Sequence, residues 1–526
     1  MSSLFTILSG VQNSIRQLPI FAQPKYLPFQ KQVKGGFGFT YKGNTFIPYT
    51  DLPIGQSALK TITFQQLFLL LSLLYLSVVS FLIDWHATIV VIVSVLTLFY
   101  FSDLLFNLFL LFRSFRKKPE IKVTKNAIAK VAEKDWPMYT IFCPLYKEWN
   151  VLPQFIEAMS NMDYPKDKLQ VMLLLEEDDH TTVDKVKQLA LPSFFDIVIV
   201  PDSKPKTKPK ACNYGLLKAK GDYVVIYDAE DIPETDQLKK AVLGFNKSPK
   251  DVACIQAKLN FYNPTQNLLT RAFTAEYSLW FDLVLTGLQT ITAPIPLGGT
   301  SNHFKTDFLK KVHGWDSFNV TEDCDLGIRL IKQNYRTAII ESTTYEEANS
   351  DLSNWISQRT RWIKGYIQTY FVHMRKPSEL MKSIKKPHLL TFQLVVGGKI
   401  LSMIINPILW MLTIVYFVFR PIIGDFIESF YLTPILYIGV TTLFIGNFLY
   451  MYYYVIGCAK RGRYDIILYA ALIPLYWLAM SIAAVKAGIE FIRKPHYWAK
   501  TKHGLHMNNH EESPTSISMP SVVIAK

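Results

Sequence analysis

Charge is scarce in this sequence. Asp, Glu, Lys and Arg make up 19% of its 526 residues, against about 25% in ordinary soluble domains. The runs 63–83 and 87–113 hold almost no ionisable side chains. Cysteine is scarce too. Cys143, Cys212, Cys254, Cys324 and Cys458 are odd in number and lack metal-ligand spacing. This excludes a disulfide framework and a zinc site and suits reduced thiols in a cytosolic domain. No Gly-x-x-x-x-Gly-Lys loop occurs, which argues against ATP-driven transport. No basic stripe interleaved with aromatics occurs, so nucleic acid is not an expected partner. Residues 1–60 lack the ordered basic, apolar and small-residue blocks of a cleavable signal. No internal repeat is evident.

Apolar residues are abundant instead, at 50%, with 14% aromatic. Runs of about 20 apolar residues can cross a bilayer. The first two runs are joined only by Asp84-Trp85-His86, and Arg113, Arg116, Lys117 and Lys118 follow. Lys and Arg gather on cytoplasmic flanks, so 61–114 reads as a hairpin with 1–60 and 114 onward both cytoplasmic. Further runs lie at 388–419, 431–457 and 464–491. A link carrying Asp425 and Glu428 suits the outside. Pro474 breaks the last run, which reads as a broken or interfacial helix with both ends cytoplasmic. The net charge of +14 fits such flanks and a cleft for an anionic substrate.

Residues 120–385 read as a soluble α/β domain. Strands are expected at 138–143, 170–175, 196–200, 222–227 and 253–257, with helices such as 151–161 and 235–246 between them. The alternation predicts a mostly parallel sheet covered on both faces. Residues 1–60 have no assigned role; Gly35 to Gly38 reads as a turn. Residues 505–526 read as a disordered tail.

Six motifs carry chemistry. Val224-Val225-Ile226-Tyr227 is a buried strand that runs into Asp228, Glu230 and Asp231. Ionised carboxylates must emerge at its carboxyl end, where open α/β sheets bind ligands. Hard oxygens so closely spaced suit Mg2+ or Mn2+ carrying a diphosphate; a capped turn before a helix is the plainer reading. Pro144, Tyr146 and Glu148 follow another strand and suit a nucleoside, or an ordinary loop. Glu176, Glu177, Asp178 and Asp179 end a third strand, as base contacts or as a solvated edge. Four lysines occur in seven residues, 204–210, before a helix start, a setting that favours phosphate or is merely a solvated basic loop. In Thr321-Glu322-Asp323, Asp323 with Glu322 beside it suits a base that activates a sugar hydroxyl. Helix spacing sends Gln358, Arg361 and Trp362 to one side, as an acceptor platform or as membrane-surface packing.

Taken in order, these motifs resemble processive family 2 glycosyltransferases, namely bacterial cellulose synthase catalytic subunits and relatives that make hyaluronan, chitin and other β-glycans. The resemblance covers about residues 62–504. It implies a cytoplasmic GT-A α/β domain at 120–385, inserted between helices at 61–114 and at 386–491. The activity implied is inverting polymerisation from a nucleotide-sugar such as a UDP-sugar. Glu176, Glu177 or Asp178 would meet uracil, although the family more often has Asp-Asp there. Lys208 and Arg361 would meet the diphosphate, and Asp228 with Glu230 or Asp231 the metal. Asp323 matches the catalytic base. Gln358 and Trp362, with Gly299, Thr300 and Ser301 in the small-residue loop 298–303, would hold the growing glycan. Lys500 and Lys502, in 492–504, loosely match a loop that closes over the nucleotide. Lys399, Asn406, Trp410 and Asn447 are candidates to line a polymer path, or are ordinary helix packing. Single-sugar transfer to a lipid or membrane acceptor is the alternative function, and a transporter with a non-catalytic nucleotide-binding insert is a more distant one. The short tail cannot form a cyclic-dinucleotide barrel, while an accessory subunit or an oligomer remains compatible. The resemblance places the chain in a plasma membrane, with a bacterial inner membrane as the expected setting.

Overall fold

The structure is a computed structural model that describes residues 32–501 apart from 34, 35, 42 and 118. Lys502 and the expected tail lie outside the described residues. Strands β1 (Tyr139–Leu145), β2 (Leu169–Glu176), β3 (Phe195–Val200), β4 (Tyr223–Ile226), β5 (Ile232–Pro233), β6 (Val252–Phe261), β7 (Asn302–Lys305) and β8 (Arg336–Glu346) form one sheet in the order β3-β2-β1-β4-β7-β6-β8-β5. Pairings β3/β2, β2/β1, β1/β4 and β6/β8 are parallel. Pairings β4/β7, β7/β6 and β8/β5 are antiparallel. The expected mostly parallel sheet is therefore mixed. The chain returns through β7, which inserts antiparallel between β4 and β6. Asn302 and His303 belong to this strand, so the small-residue loop ends at Ser301.

Every residue of β2 and of β6 is buried. Fully burying one Val, Leu or Ile contributes about 1.5–3 kcal/mol, so these strands anchor the sheet. Helices α1 (Phe64–Ile83) and α2 (Trp85–Lys117) precede it. Within and after the sheet come α3 (Lys208–Leu216), α4 (Leu268–Leu279), α5 (Glu322–Lys332) and α6 (Leu352–His373). Helices α7 (Lys399–Glu428), α8 (Asn447–Lys460) and α9 (Ile473–Arg493) follow. All five cysteines are buried free thiols.

Among the described residues, five helical stretches are long and apolar enough to cross a membrane: Phe64–Ile83, Trp85–Lys117, Lys386–Glu428, Thr433–Lys460 and Tyr464–Arg493. Thr63 caps α1 reciprocally with Gln66, and Asp84, in extended conformation, ends it. Helix α1 is apolar on all sides and largely uncovered by protein, a distribution suited to lipid. Asp425 and Glu428 sit inside α7 rather than in a link, because the helix kinks at Phe419, just before Pro421, and continues. The last run is broken as Pro474 requires: Tyr464–Leu472 is a tight 3-10 stretch, and Pro474 occupies the first turn of α9. Both ends of this run meet the catalytic domain. Arg461 donates to Thr343 Oγ1 (3.0 Å) and pairs with Asp282, while Lys364 on α6 pairs with Glu490 (3.0 Å).

Asp325 is structural. It is fully buried on α5, where it accepts from Arg329 Nε (2.7 Å) and lies 2.9 Å from His373 Nε2. Arg329 also donates to the carbonyls of Val312 and Gly314. Asp325→Ala leaves the Arg329 charge buried and unpaired, which costs about 3–5 kcal/mol. Thermal unfolding in detergent is expected to show a large loss of stability; a change within error contradicts this assignment.

Candidate active site

The acidic turn after β4 is built from its own carboxylates. Asp231 Oδ2 accepts from the Asp228 backbone N–H (2.7 Å) and from the Thr300 hydroxyl. Asp231 is fully buried and closes the turn, whereas Asp228 and Glu230 face the cavity. Lys208, at the start of α3, reaches across with Nζ 2.5 Å from Asp228 Oδ1 and 2.7 Å from Gly299 O. Burial would discharge this amine, but Asp228 and Glu322 hold it firmly cationic. Burial, then the Asp228 charge, pushes Glu230 up to about 8.

The lysine loop and the acidic end of β2 are one network. Lys206 Nζ lies 2.6 Å from Asp178 and 2.5 Å from Asp202, and buried Lys210 lies 2.6 Å from Glu176. Burial raises the Glu176 pKa while Lys210 and Lys206 draw it back. Glu177 turns the other way and accepts from the Asp202 N–H (2.8 Å). Asp179 accepts from the Lys147 N–H and caps the following helix.

Thr321 takes the N-cap position of α5 but makes no capping bond through its side chain. It packs instead against Gly365 of α6, where an added Cβ would overlap the Thr321 side chain. This close approach brings Asp323 and the Gln358–Trp362 stretch to one cavity. Asp323 Oδ1 accepts from the Cys324 N–H (2.7 Å). Burial pushes Asp323 up to about 6. Burial and the Asp323 charge raise Glu322 further, to about 8. Gln358 is buried with its Oε1 lacking a hydrogen-bond partner. Arg361 stacks over Trp498 at 4.6 Å. Lys500 lies 3.3 Å from Glu148 and over the Tyr146 ring.

Sequence reading misses a clamp behind Trp362. The Arg359 guanidinium sits over Trp362 (4.5 Å) and Phe273 (4.4 Å) and forks onto both Glu276 oxygens (3.0 and 2.5 Å). Tyr476 of α9 donates to Glu276 and accepts from Arg359. Glu346 and Glu347 also line the cavity. Burial, then Glu230, raises the Glu346 pKa well above the carboxylate range; its only signal in the sequence is a third acidic strand end.

One cavity of about 1510 Å³ joins these groups. Pro144, Tyr146, Glu148, Glu176, Lys208, Asp228, Glu230, Gly299, Thr300, Glu322, Asp323, Gln358, Arg361, Trp362 and Lys500 line it, and so do Lys399, Asn406, Trp410 and Asn447 farther along. Four candidates do not. Glu177 and Asp178 are turned toward the Asp202 and Lys206 braces, Asp231 is folded into its turn, and Ser301 donates to Thr344 behind the sheet (2.7 Å). Among the described residues, no three His, Cys, Asp or Glu side chains converge as a preformed metal site.

Comparison with known proteins points to a class. Through residues 223–482 the chain matches the family model described as "Glycosyl transferase family group 2", which marks that part as a glycosyltransferase domain with a GT-A-like fold. It carries a family 2 domain and is similar to cellulose synthase catalytic subunits. A probable glycosyltransferase YdaM of Bacillus subtilis (strain 168) is 29% identical over 50% of this chain and 63% of its own length. The cellulose synthase catalytic subunit [UDP-forming] of Pseudomonas fluorescens (strain SBW25) is 29% identical over 46% of this chain and 32% of its own. A probable glucomannan 4-beta-mannosyltransferase 7 of Oryza sativa subsp. japonica is 26% identical over 47% and 44%. The matched part thus spans less than two thirds of each of these relatives. The mannosyltransferase PcManGT of Pyrobaculum calidifontis, solved with GDP-Man and Mn2+, overlaps 77% of this chain and 98% of its own at 17% identity and a TM-score of 0.44.

Two outcomes follow from the geometry. Taken as the base, Asp323, pushed up to about 6 by burial, is protonated below that pH, so kcat/KM is expected to fall tenfold per unit on the acid side and to level above it. A limb near the ordinary carboxylate value of about 4 contradicts the burial argument. Gly365→Ala forces α5 and α6 apart, at about 1–3 kcal/mol for overpacking. Steady-state assays are expected to show a fall in kcat with donor KM little changed.

Proposed function

We propose that this enzyme is an inverting synthase that polymerises a β-linked glycan from a nucleotide-sugar and passes the product outward between its helices. The observation that carries the reading is the single cavity shared by Asp323, Trp362 and the helix-borne Lys399, Asn406, Trp410 and Asn447. A transferase acting once on a lipid has no need of such a passage. A relative named as UDP-forming supports a uridine donor, and similarity to cellulose synthases supports polysaccharide synthesis. The catalytic domain is assigned to the cytoplasmic side, where nucleotide-sugars are made.

Pro144, Tyr146, Glu148 and Glu176 surround the nucleobase in this reading. Lys208, Arg361 and Lys500 face the diphosphate, whose negative charge grows as the bond to sugar C1 breaks. The donor set fits Mg2+ or Mn2+: Asp228 and Glu230 would supply two oxygens, and such ions accept phosphate and water oxygens for the rest. Burial, then the Asp228 charge, raises the Glu230 pKa, and a cation would relieve the second of these. When bound, the ion neutralises the departing diphosphate. Asp231 serves by shaping the turn, and Glu177 and Asp178 serve through the braces on the lysine loop.

Asp323 takes the proton of the acceptor hydroxyl as that oxygen attacks C1 opposite the diphosphate. Glu322, which holds its proton to higher pH, leaves Asp323 as the ionised member of the pair. The partnerless Gln358 Oε1 accepts from a sugar hydroxyl. Trp362 supports the terminal ring, and Gly299 and Thr300 border it.

The test is transfer from radiolabelled UDP- and GDP-sugars by protein in nanodiscs with Mg2+ or Mn2+, beside Asp323→Asn. High-mass product from one donor, reduced at least about a thousandfold by the variant, is expected. Products one sugar longer than the acceptor overturn the synthase reading.

A further inference from the structure

We infer that residues 44–62 are a working part of the donor site, a strap that ties α1 to the lysine loop and holds Lys206 and Lys208 in place. The inference rests on the donor reading above. Its front end pairs with the loop through the main chain. Lys204 N–H donates to Thr45 O (2.8 Å), and Ile47 N–H donates to Lys204 O (2.7 Å). Phe46, between these two bonds, lines the cavity beside Lys204, Pro205, Lys206 and Thr207. Its ring stacks on Phe39 at 5.1 Å.

The middle of the strap reaches the helix that Lys208 opens. Pro48 O accepts from Asn213 Nδ2 on α3 and from Ser317 Oγ, both at 3.1 Å. The rear is held twice over. Asp316 accepts from Ser57 Oγ (2.8 Å) and the Ala58 N–H (2.5 Å). Arg375, just past α6, donates to the carbonyls of Ile54, Gly55, Ser57 and Lys60. The chain then enters α1, whose Gln66 donates to Phe371 O (2.7 Å). Phe39, Ala58 and Leu59 pack with Phe318, and the Phe318 ring meets His496, which lines the cavity, at 5.8 Å.

The physical need is plain. Carboxylates hold the amines of Lys206, Lys208 and Lys210, but those ion pairs leave the main chain at the start of the loop free to shift. Two backbone hydrogen bonds to its first residue remove that freedom before the donor arrives. The strap therefore acts on binding more than on chemistry, since pre-ordering a site lowers the entropy lost when ligand enters. Lys208 approaches the diphosphate; the strap residues are positioning residues acting through it.

The variants Phe46→Ala and Arg375→Gln test this at the two ends of the strap, in the full chain in nanodiscs. UDP and GDP binding is measured by calorimetry, and donor KM and kcat by steady-state assay. Both variants are expected to weaken the nucleotide that wild type binds, and to raise donor KM, by tenfold or more, with kcat within threefold. Hydrogen exchange at residues 44–47 is expected to slow when that nucleotide is added to wild type. A variant that only unfolds part of the population loses kcat with KM unchanged, and that result overturns the inference. So does unaltered nucleotide affinity in both variants. Wild type that binds neither nucleotide overturns the donor reading itself.

Discussion

A negative charge at the end of a buried strand is stable only beside a cation, and Lys208 supplies it. Its ammonium group lies between Asp228 and the carbonyl of Gly299, so one side chain ties α3, the turn after β4 and the loop before β7. Much of the pocket is arranged on this contact. The turn that presents Asp228 is closed by Asp231, which is in turn held by Thr300. The loop that presents Lys208 is braced by the carboxylates ending β2. A bound diphosphate would take up the Lys208 ammonium and a divalent ion would take up Asp228, so one balanced set of charges would give way to another without leaving a carboxylate bare.

The same economy of contact joins the catalytic domain to its helices. Gly365 lets α6 lie against Thr321, and α6 in turn carries Thr360 and Lys364 onto α9. Trp362, also on α6, lines the cavity that the pocket and these helices share. Three helical stretches widen by one residue per turn, at Trp280–Val284, Gln393–Gly398 and Thr442–Gly446, and residues of all three line that cavity. Such local widening often marks a working surface. Its polar lining, including Asn406 bonded to Tyr100 and Lys399 near Asp103, offers partners to hydroxyls inside otherwise apolar helices.

Much of this was legible in the residues. Five strands were readable because their apolar runs are bounded by charge or turn residues. β7 was not, since Asn302, His303 and Lys305 look like loop, and β8 was not, since Arg336 and Glu341 interrupt its pattern. Lys208, Asp228, Asp323 and Trp362 could be read as one site from the order of the motifs. Direction could not: along an extended segment neighbours face opposite ways, which separates Glu176 from Glu177. The Arg359 clamp escaped because its partners lie 83 and 117 residues away in sequence. The strap escaped because many of its bonds are made by main-chain groups, which leave no signature in the residue types.

The claim that matters most is that chemistry and passage share one cavity. It is tested by reconstituting the purified enzyme in sealed vesicles with the catalytic domain outward, adding radiolabelled donor outside, and treating with a glycanase before and after detergent. This account predicts polymer that resists the glycanase until the vesicles are opened. Polymer that is degraded fully in intact vesicles would contradict it.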